Sequence, residues 1–250
     1  MGLFLWAATF RGDGVADGIA GVLEERLKNT HLHHLPTQDL GWVLTGLCFV
    51  KRAELARRFA EEVRSRLGQQ GLFRSSSSRS RLAPFNVQAY GLLSLAEYAR
   101  LSGDREMEKL VLTIGRKLIA PQGPQGEWWW VYNVNRGVVT DRYPVYSVHQ
   151  DGLGPMALRA CNEVCGLEVD AVIKMSLDWI FAKNELHQSL VDESRGLIWR
   201  SIRRKWKPGR KWFPRFAFRG MGCINNLVPG KEINRESRAY EYGWILYAFS

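Results

Sequence analysis

The stretch QGEWWWVYNVNRGVVTDRYPVYSVHQDGLGPMAL, from Gln125 to Leu158, joins an aromatic cluster, a Tyr-Pro turn and a His-Gln-Asp-Gly tetrad. The residues from Leu153 to Leu158 are apolar or small, which predicts the first turns of a buried helix. We therefore expect Asp151 at the N-terminal end of this helix, at the mouth of a pocket. The alternative is an N-cap aspartate on an ordinary core helix, with the tryptophans packed behind it.

Working outward, four segments are apolar on nearly all sides and predict inner helices. They are Thr37 to Val50, Asn86 to Leu101, His149 to Cys165 and Arg238 to Phe249. The segments that follow the first three are apolar on one side only, as expected of helices that cover a core: Ala53 to Leu67, Arg105 to Ile119 and Val169 to Ala182. The order predicts repeated helical hairpins, each an inner helix followed by an outer one.

Each inner helix carries one polar residue about one turn before its apolar stripe. These residues are Asp39, Gln88, Asp151 and Glu241. Their equivalent positions make them candidates for lining one cavity. The acidic residues near the start of the last helix have an alternative structural role, because carboxylates are stabilised by the positive end of a helix dipole.

Composition limits the classes of partner. The chain has 250 residues, is 46% hydrophobic and has a formal charge of +10 with a pI near 9.7. This predicts one domain and anionic partners such as acidic glycans or an anionic membrane surface. The segment Arg200 to Arg219 interleaves Lys and Arg with aromatic residues, but no RNP, KH or zinc-knuckle motif accompanies it, so nucleic acid is an unlikely partner.

The cysteines and the N-terminus indicate a cytoplasmic protein. Cys48, Cys161, Cys165 and Cys223 lack the spacing of a zinc site, and we expect free thiols in a reducing compartment. The first residues resemble neither a secretory signal nor a membrane-spanning segment. His31, His33 and His34 lie in a polar connector without further ligands at fixed spacing, so we expect no metal and no other cofactor.

The chain resembles the α/α-toroid proteins, and more particularly the six-hairpin glycosidase-like superfamily of polysaccharide hydrolases, lyases and sugar epimerases. The resemblance rests on TQDLGW at residues 37–42, FNVQAYGLLSLAEYA at 85–99, YPVYSVHQDGLGPMAL at 143–158 and RAYEYGW at 238–244. It implies a single all-α domain over residues 1–250, a short or N-terminally incomplete (α/α)6 barrel. A small β-hairpin insertion is predicted between Leu190 and Arg203, with its turn at Arg195 and Gly196.

The resemblance implies a carbohydrate-active enzyme in which two carboxyl groups flank a glycosidic bond, one as acid and one as base or nucleophile. Asp151 and Glu241 are the expected pair, with Asp39 in reserve. Substrate contacts are expected from Trp128, Trp130, Tyr143 and Gln88.

Two alternatives remain open. A uronic-acid epimerase or lyase would use Tyr146 and His149 as acid and base, with Arg238 holding the substrate's carboxylate. A non-catalytic glycan-binding or scaffold protein in polysaccharide assembly would use the same concave surface.

Overall fold

The computed structural model describes residues 15–27, 30–77, 80–205 and 230–249. The α-helices are α1 (Val15–Leu27), α2 (Thr37–Phe49), α3 (Ala53–Ser65), α4 (Phe85–Ser102), α5 (Arg105–Ile119), α6 (Gly154–Cys165), α7 (Asp170–Ile180) and α8 (Ala239–Phe249). A 3-10 turn, Leu32–His34, precedes α2, and a π-helix, Val148–Leu153, runs directly into α6. The strands are β1 (Leu82–Pro84), β2 (Trp129–Asn133), β3 (Val138–Pro144), β4 (Val191–Asp192), β5 (Leu197–Ile198), β6 (Ser201–Arg204) and β7 (Lys231–Asn234).

The core is built on a central row of helices. α4 packs against α2 on one side and against α6 on the other, and it is buried along most of its length. Gly41 permits the close approach of α2 and α4, since a Cβ there would lie 3.1 Å from the carbonyl oxygen of Tyr90. All-round apolarity thus correctly predicted that α2, α4 and α6 lie at the centre, because a helix with neighbours on several sides needs apolar residues on each of them.

A second set of helices covers this row. α3 packs against α2 and α4, α5 against α4 and α6, and α7 against α6 and the π-helix. α3 buries Phe59 and Val63, while Arg57 forms solvent-exposed ion pairs with Glu54 and Glu61. The described chain is therefore mainly helical, with central and covering helices alternating along the sequence.

The last helix differs from its prediction. α8 packs on α6 and the π-helix, and it reaches α4 through an edge-on contact of Trp244 with Tyr90 at 6.1 Å. Leu246 is nevertheless 72% exposed and Tyr240 52% exposed. Only part of this apolar helix is buried, because none of the described helices covers that side.

Three small antiparallel sheets connect the helices. β4 and β5 form the predicted hairpin, with Gly196 at φ +62° in its turn. The three-stranded sheet β1-β2-β3 was not predicted, because its aromatic segment does not alternate between buried and exposed residues and its register shifts near Val131. β6 pairs with β7. Most of the predicted basic aromatic segment, from Trp206 to Arg219, lies outside the described residues, as do Cys223 and the N-terminal apolar run.

The described helices offer no candidate membrane span, since none is both long and apolar enough to cross a bilayer. The three cysteines within the described chain, Cys48, Cys161 and Cys165, are free thiols.

Candidate functional site

The π-helix brings the His-Gln-Asp-Gly tetrad into the centre of the molecule. Its Gln150 accepts a hydrogen bond from the backbone N–H of Trp128 at 2.9 Å, and the Gln150 carbonyl accepts one from the Ser176 hydroxyl. Gly152 lets α8 approach, because a Cβ there would lie 3.0 Å from the Cβ of Trp244. Such π-helical turns are rare and occur frequently at functional sites, where they change the direction in which side chains point.

The approach of α8 brings two carboxyl groups together. Asp151 is 2% exposed and Glu241 is fully buried, and the side chains interact directly. Burial raises the pKa of Asp151 well above its usual range, and the adjacent charge of Glu241 raises it further. Burial likewise raises the pKa of Glu241. Two adjacent buried carboxyl groups do not both ionise near neutral pH, so the pair retains a proton.

This acidic pair has few other partners. None of its four oxygens has a well-oriented hydrogen-bond donor among the described residues. The Ser147 hydroxyl lies close enough to lower the pKa of Glu241, although its geometry falls short of a well-formed hydrogen bond. A proton shared between the two carboxyl groups supplies the missing donor.

His149, on the same π-helix as Asp151, lies within an aromatic cluster. Its ring centre is 5.9 Å from that of Tyr146, with the rings stacked, and 6.3 Å from that of Trp130. Burial, and secondly the positive charge of Arg200, lower the pKa of His149 to about 4. The imidazole is therefore neutral at physiological pH. Part of its surface remains accessible, and its Nδ1 has no partner in the described chain.

Arg200 is a site residue that the sequence did not single out. Its guanidinium carbon lies 4.2 Å from the ring centre of Tyr146, and it forms an ion pair with Glu236. Its backbone carbonyl accepts a hydrogen bond from the Ser147 N–H at 2.7 Å, which fixes its position. No motif surrounds Arg200, and only the pairing of distant segments places it here.

Arg238, the cation that was predicted to hold the substrate's carboxylate, is placed differently. It shares Glu236 with Arg200, at 3.2 Å, and none of the described contacts joins it to His149 or Tyr146. The structure thus brings Tyr146 and His149 together with Arg200 rather than with Arg238.

The predicted aromatic contacts divide into exposed and buried residues. Trp130 is partly exposed and meets Tyr146 edge-on at 4.7 Å, so the two rings can present a face to a ligand. Trp128 is fully buried and stacks on Phe85 at 5.5 Å, which makes it a core residue rather than an open platform. Tyr143 donates its hydroxyl hydrogen to the Ile202 carbonyl and so ties β3 to β6.

None of the described contacts joins Gln88 or Asp39 to the acidic pair. The Gln88 side-chain oxygen accepts from the Phe73 N–H at 2.7 Å, and its amide donates to the Phe73 carbonyl at 2.9 Å. Both ends of this buried amide are used, which gives Gln88 a structural role. Asp39 is exposed on the first turn of α2.

A cavity of about 370 Å³ lies beside the paired strands β6 and β7, and none of the candidate residues described above lines it. Its lining contains Leu186, Gln188, Arg203, Lys205, Lys231, Glu232, Ile233 and Arg235. Neither Asp151 nor Glu241 lines it. Within the described residues, no group of three or more His, Cys, Asp or Glu side chains is arranged to hold a metal ion.

Comparison with known proteins gives a relationship in structure alone. No protein-family model and no curated protein sequence matches the chain. Among solved structures, the chain is similar to a crystal structure of D-mannose isomerase, with a TM-score of 0.52 and 10% sequence identity. The match covers 66% of this chain and 48% of the isomerase, so this chain spans about half of that protein's length. At this identity the likeness concerns the fold.

Proposed function

We propose that the protein is a sugar-modifying enzyme that acts by proton transfer at a carbon atom, as isomerases and epimerases do. The observation that carries the proposal is the stacking of a neutral, partly accessible His149 on Tyr146, whose ring lies against the guanidinium of Arg200. In this proposal Tyr146 and His149 serve as the acid–base pair expected from the sequence, with Arg200 in the place of Arg238. The structural likeness to D-mannose isomerase agrees with this class of reaction.

Each group has a distinct role in the proposed reaction. The neutral imidazole of His149 accepts the proton from the carbon next to a sugar carbonyl, and the bonding electrons move to the carbonyl oxygen. Arg200 stabilises the negative charge that develops on this oxygen, and the Tyr146 hydroxyl donates a hydrogen bond to it. Isomerisation is completed when the imidazolium returns the proton to the former carbonyl carbon, while the hydroxyl on the deprotonated carbon passes its proton to the former carbonyl oxygen and becomes the new carbonyl. Epimerisation instead requires an acid on the opposite face of the deprotonated carbon to supply the proton there.

A two-carboxylate hydrolase is the second candidate, favoured by the raised pKa values of Asp151 and Glu241. Hydrolases of this kind hold their carboxyl groups about 5–5.5 Å apart when retaining and about 6.5–9.5 Å apart when inverting. Asp151 is 2% exposed and Glu241 is fully buried, so neither carboxyl group lies open to a glycosidic bond, and we therefore rank hydrolysis below proton transfer. The non-catalytic alternative would use Trp130 and Tyr146 to stack on a sugar ring.

The proposal also concerns the architecture. We infer that the alternation of central and covering helices is part of an α/α toroid, with the whole chain as one domain. Support comes from the helix order and from the isomerase with a similar structure. We also propose that the partner is a carbohydrate and that it carries negative charge. A contact with an anionic membrane surface is part of the same proposal.

The deciding experiment follows deuterium uptake in heavy water by proton NMR, with a panel of aldoses, ketoses and uronic acids. Proton transfer exchanges a carbon-bound hydrogen with solvent, and hydrolysis does not. We expect exchange by the native protein, and its loss in His149→Gln. The matched control, Asp39→Asn, changes an exposed carboxylate and should exchange as the native protein does. Release of reducing ends without exchange would favour the hydrolase, and binding without either reaction would favour the binding protein.

A further inference from the structure

Two arginine side chains converge on one carboxylate oxygen at the edge of the candidate site. Nη1 of Arg200 and Nη2 of Arg238 both contact Oε2 of Glu236, the second at 3.2 Å. The two nitrogens are therefore close enough together to bind a single oxygen atom. Each guanidinium has five N–H donors, so both arginines also have donors beyond this contact. The arrangement is that of a binding site for a carboxylate.

The backbone holds both arginines without help from the Glu236 side chain. Arg200 donates its N–H to the Glu236 carbonyl at 2.8 Å and accepts at its own carbonyl from the Ser147 N–H at 2.7 Å. The Arg238 carbonyl accepts from the N–H of Glu241, in the first turn of α8, at 3.0 Å. The carboxylate of Glu236 can thus move away while the backbone of both arginines stays in place.

The Glu236 side chain shows that this position suits a carboxylate. Its hydrogen bond to Arg200 is the main cause of its lowered pKa, so the group is ionised at neutral pH. The side chain is nevertheless 51% exposed, and that of Arg238 is 43% exposed. Exposed ion pairs contribute little to stability, because both partners are well hydrated when they separate. The carboxylate of a ligand can therefore replace that of Glu236 with little loss of stability.

The surroundings of the two arginines suit a sugar ring. The guanidinium carbon of Arg200 lies 4.2 Å from the ring centre of Tyr146, which stacks on His149. Tyr240 follows Arg238 by two residues and is 52% exposed. A tyrosine presents a flat apolar face and a polar hydroxyl, which match the C–H face and the hydroxyls of a sugar. A uronic acid combines such a ring with one carboxylate.

We propose that Arg200 and Arg238 together bind the carboxylate of a uronic acid, and that the carboxylate of Glu236 occupies this position until the substrate displaces it. The inference rests on the proposed function and deepens it, because it names the substrate class of the reaction at His149. Exchange of one carboxylate for another leaves the local charge unchanged. A phosphate monoester carries about −1.5 to −2 charges at pH 7, and the displaced Glu236 would repel it more strongly.

Calorimetric titration of the full chain tests this inference. The ligands are glucuronate, galacturonate and mannuronate, the methyl ester of each, and glucose 6-phosphate. We expect at least one uronate to bind, more tightly than its ester and than the phosphate. Arg238→Gln should weaken this binding about two- to fivefold, the scale of an exposed ion pair. Glu236→Gln should tighten it by a similar factor, because the competing carboxylate is gone.

The matched controls are Arg57→Gln and Glu54→Gln, which break an exposed ion pair on α3 and should bind the uronate as the native protein does. Three results with the native protein would overturn the proposal: no uronate binds, an ester binds as tightly as its acid, or glucose 6-phosphate binds more tightly than every uronate. Weaker binding by Glu236→Gln would overturn it as well, since Glu236 would then position the arginines rather than compete with the substrate.

Deuterium exchange separates this inference from the proposed function. If uronate binding depends on Arg238 and Glu236 as expected but the native protein exchanges no deuterium, the carboxylate site stands and the enzyme proposal fails. If exchange is observed but Arg238→Gln binds the uronates as the native protein does, only the inference about the carboxylate site fails.

Discussion

The carboxyl group of Asp151 meets that of Glu241 in the interior, although the first belongs to the π-helix and the second to the first turn of α8. Each group is held in its place by a different element, and neither has a well-oriented donor in the described chain. Such a pair is costly to bury when ionised. The pair, together with a neutral His149 two residues before Asp151 on the same π-helix, distinguishes this region from an ordinary helical core.

The acidic pair predicts a pH-dependent stability. The folded protein holds its carboxyl protons to a higher pH than the unfolded chain, whose pKa values are about 3.9 for Asp and 4.3 for Glu. The pair therefore favours the folded state less and less as the pH rises through the folded-state values. Asp151→Asn removes this penalty and adds an amide donor. We expect a gain on the order of 1–3 kcal/mol near pH 8 and little change near pH 4.

Thermal unfolding of Asp151→Asn and native protein at several pH values measures this effect. Asp39→Asn is the control, because Asp39 is exposed and should show no comparable trend. A stability difference that is constant with pH would mean that the pair is ionised in the folded protein.

The charge of Arg200 affects the pKa of His149, which gives a second testable prediction. Its positive charge is the second cause of the low pKa of His149, after burial. Arg200→Gln should therefore raise the pKa of His149 from about 4 toward the usual value. The imidazole signals in NMR spectra report the titration directly. Arg203→Gln, which removes a charge that is paired with Glu232, should leave the titration of His149 unchanged.

Catalysis should depend on both members of the proposed acid–base pair. His149→Gln should lower kcat by about 10²–10⁴-fold, the usual contribution of a general acid or base. Tyr146→Phe keeps the ring that packs on Trp130 and removes the hydroxyl, so it should lower kcat with little change in stability. Far-ultraviolet circular dichroism checks that both variants fold. Normal turnover by a folded His149→Gln would exclude the proposed mechanism.

Gly126 and Gly103 both have a positive φ, but only Gly126 has no room for a Cβ atom. Substituting each by alanine therefore separates the cost of the backbone conformation from the cost of a steric clash. Gly126 has φ +91°, and a Cβ there would lie 1.9 Å from the carbonyl oxygen of Met175. Gly103 has φ +64°, with nothing within 4 Å of its Cβ position. Gly103→Ala should cost about 1–2 kcal/mol through its left-handed backbone alone. Gly126→Ala should cost more, because the backbone of α7 must also move, and urea denaturation measures the difference. Equal costs would show that the contact with Met175 is loose.

The helical framework was predictable because burial leaves a local pattern. A helix with neighbours on several sides must be apolar on each of them, and α2, α4 and α6 show this directly in their sequences. The covering helices and the hairpin at Gly196 were predicted for similar reasons. The sheet beside Trp129 was missed because its strands carry no alternation and its register shifts. The exposure of Leu246 was missed because an apolar helix gives no indication of a missing neighbour.

The sequence by itself determined the central helices and drew attention to Asp151, Glu241, Tyr146 and His149 by their residue types and positions. Only the tertiary structure decided how these groups relate. It placed Arg200 on Tyr146, left Arg238 with Glu236, buried Trp128 and used Gln88 to hold Phe73. The physical reason is that periodicity records which face of an element is buried. The charge and proton affinity of a side chain depend instead on neighbours within a few ångströms, which distant segments supply.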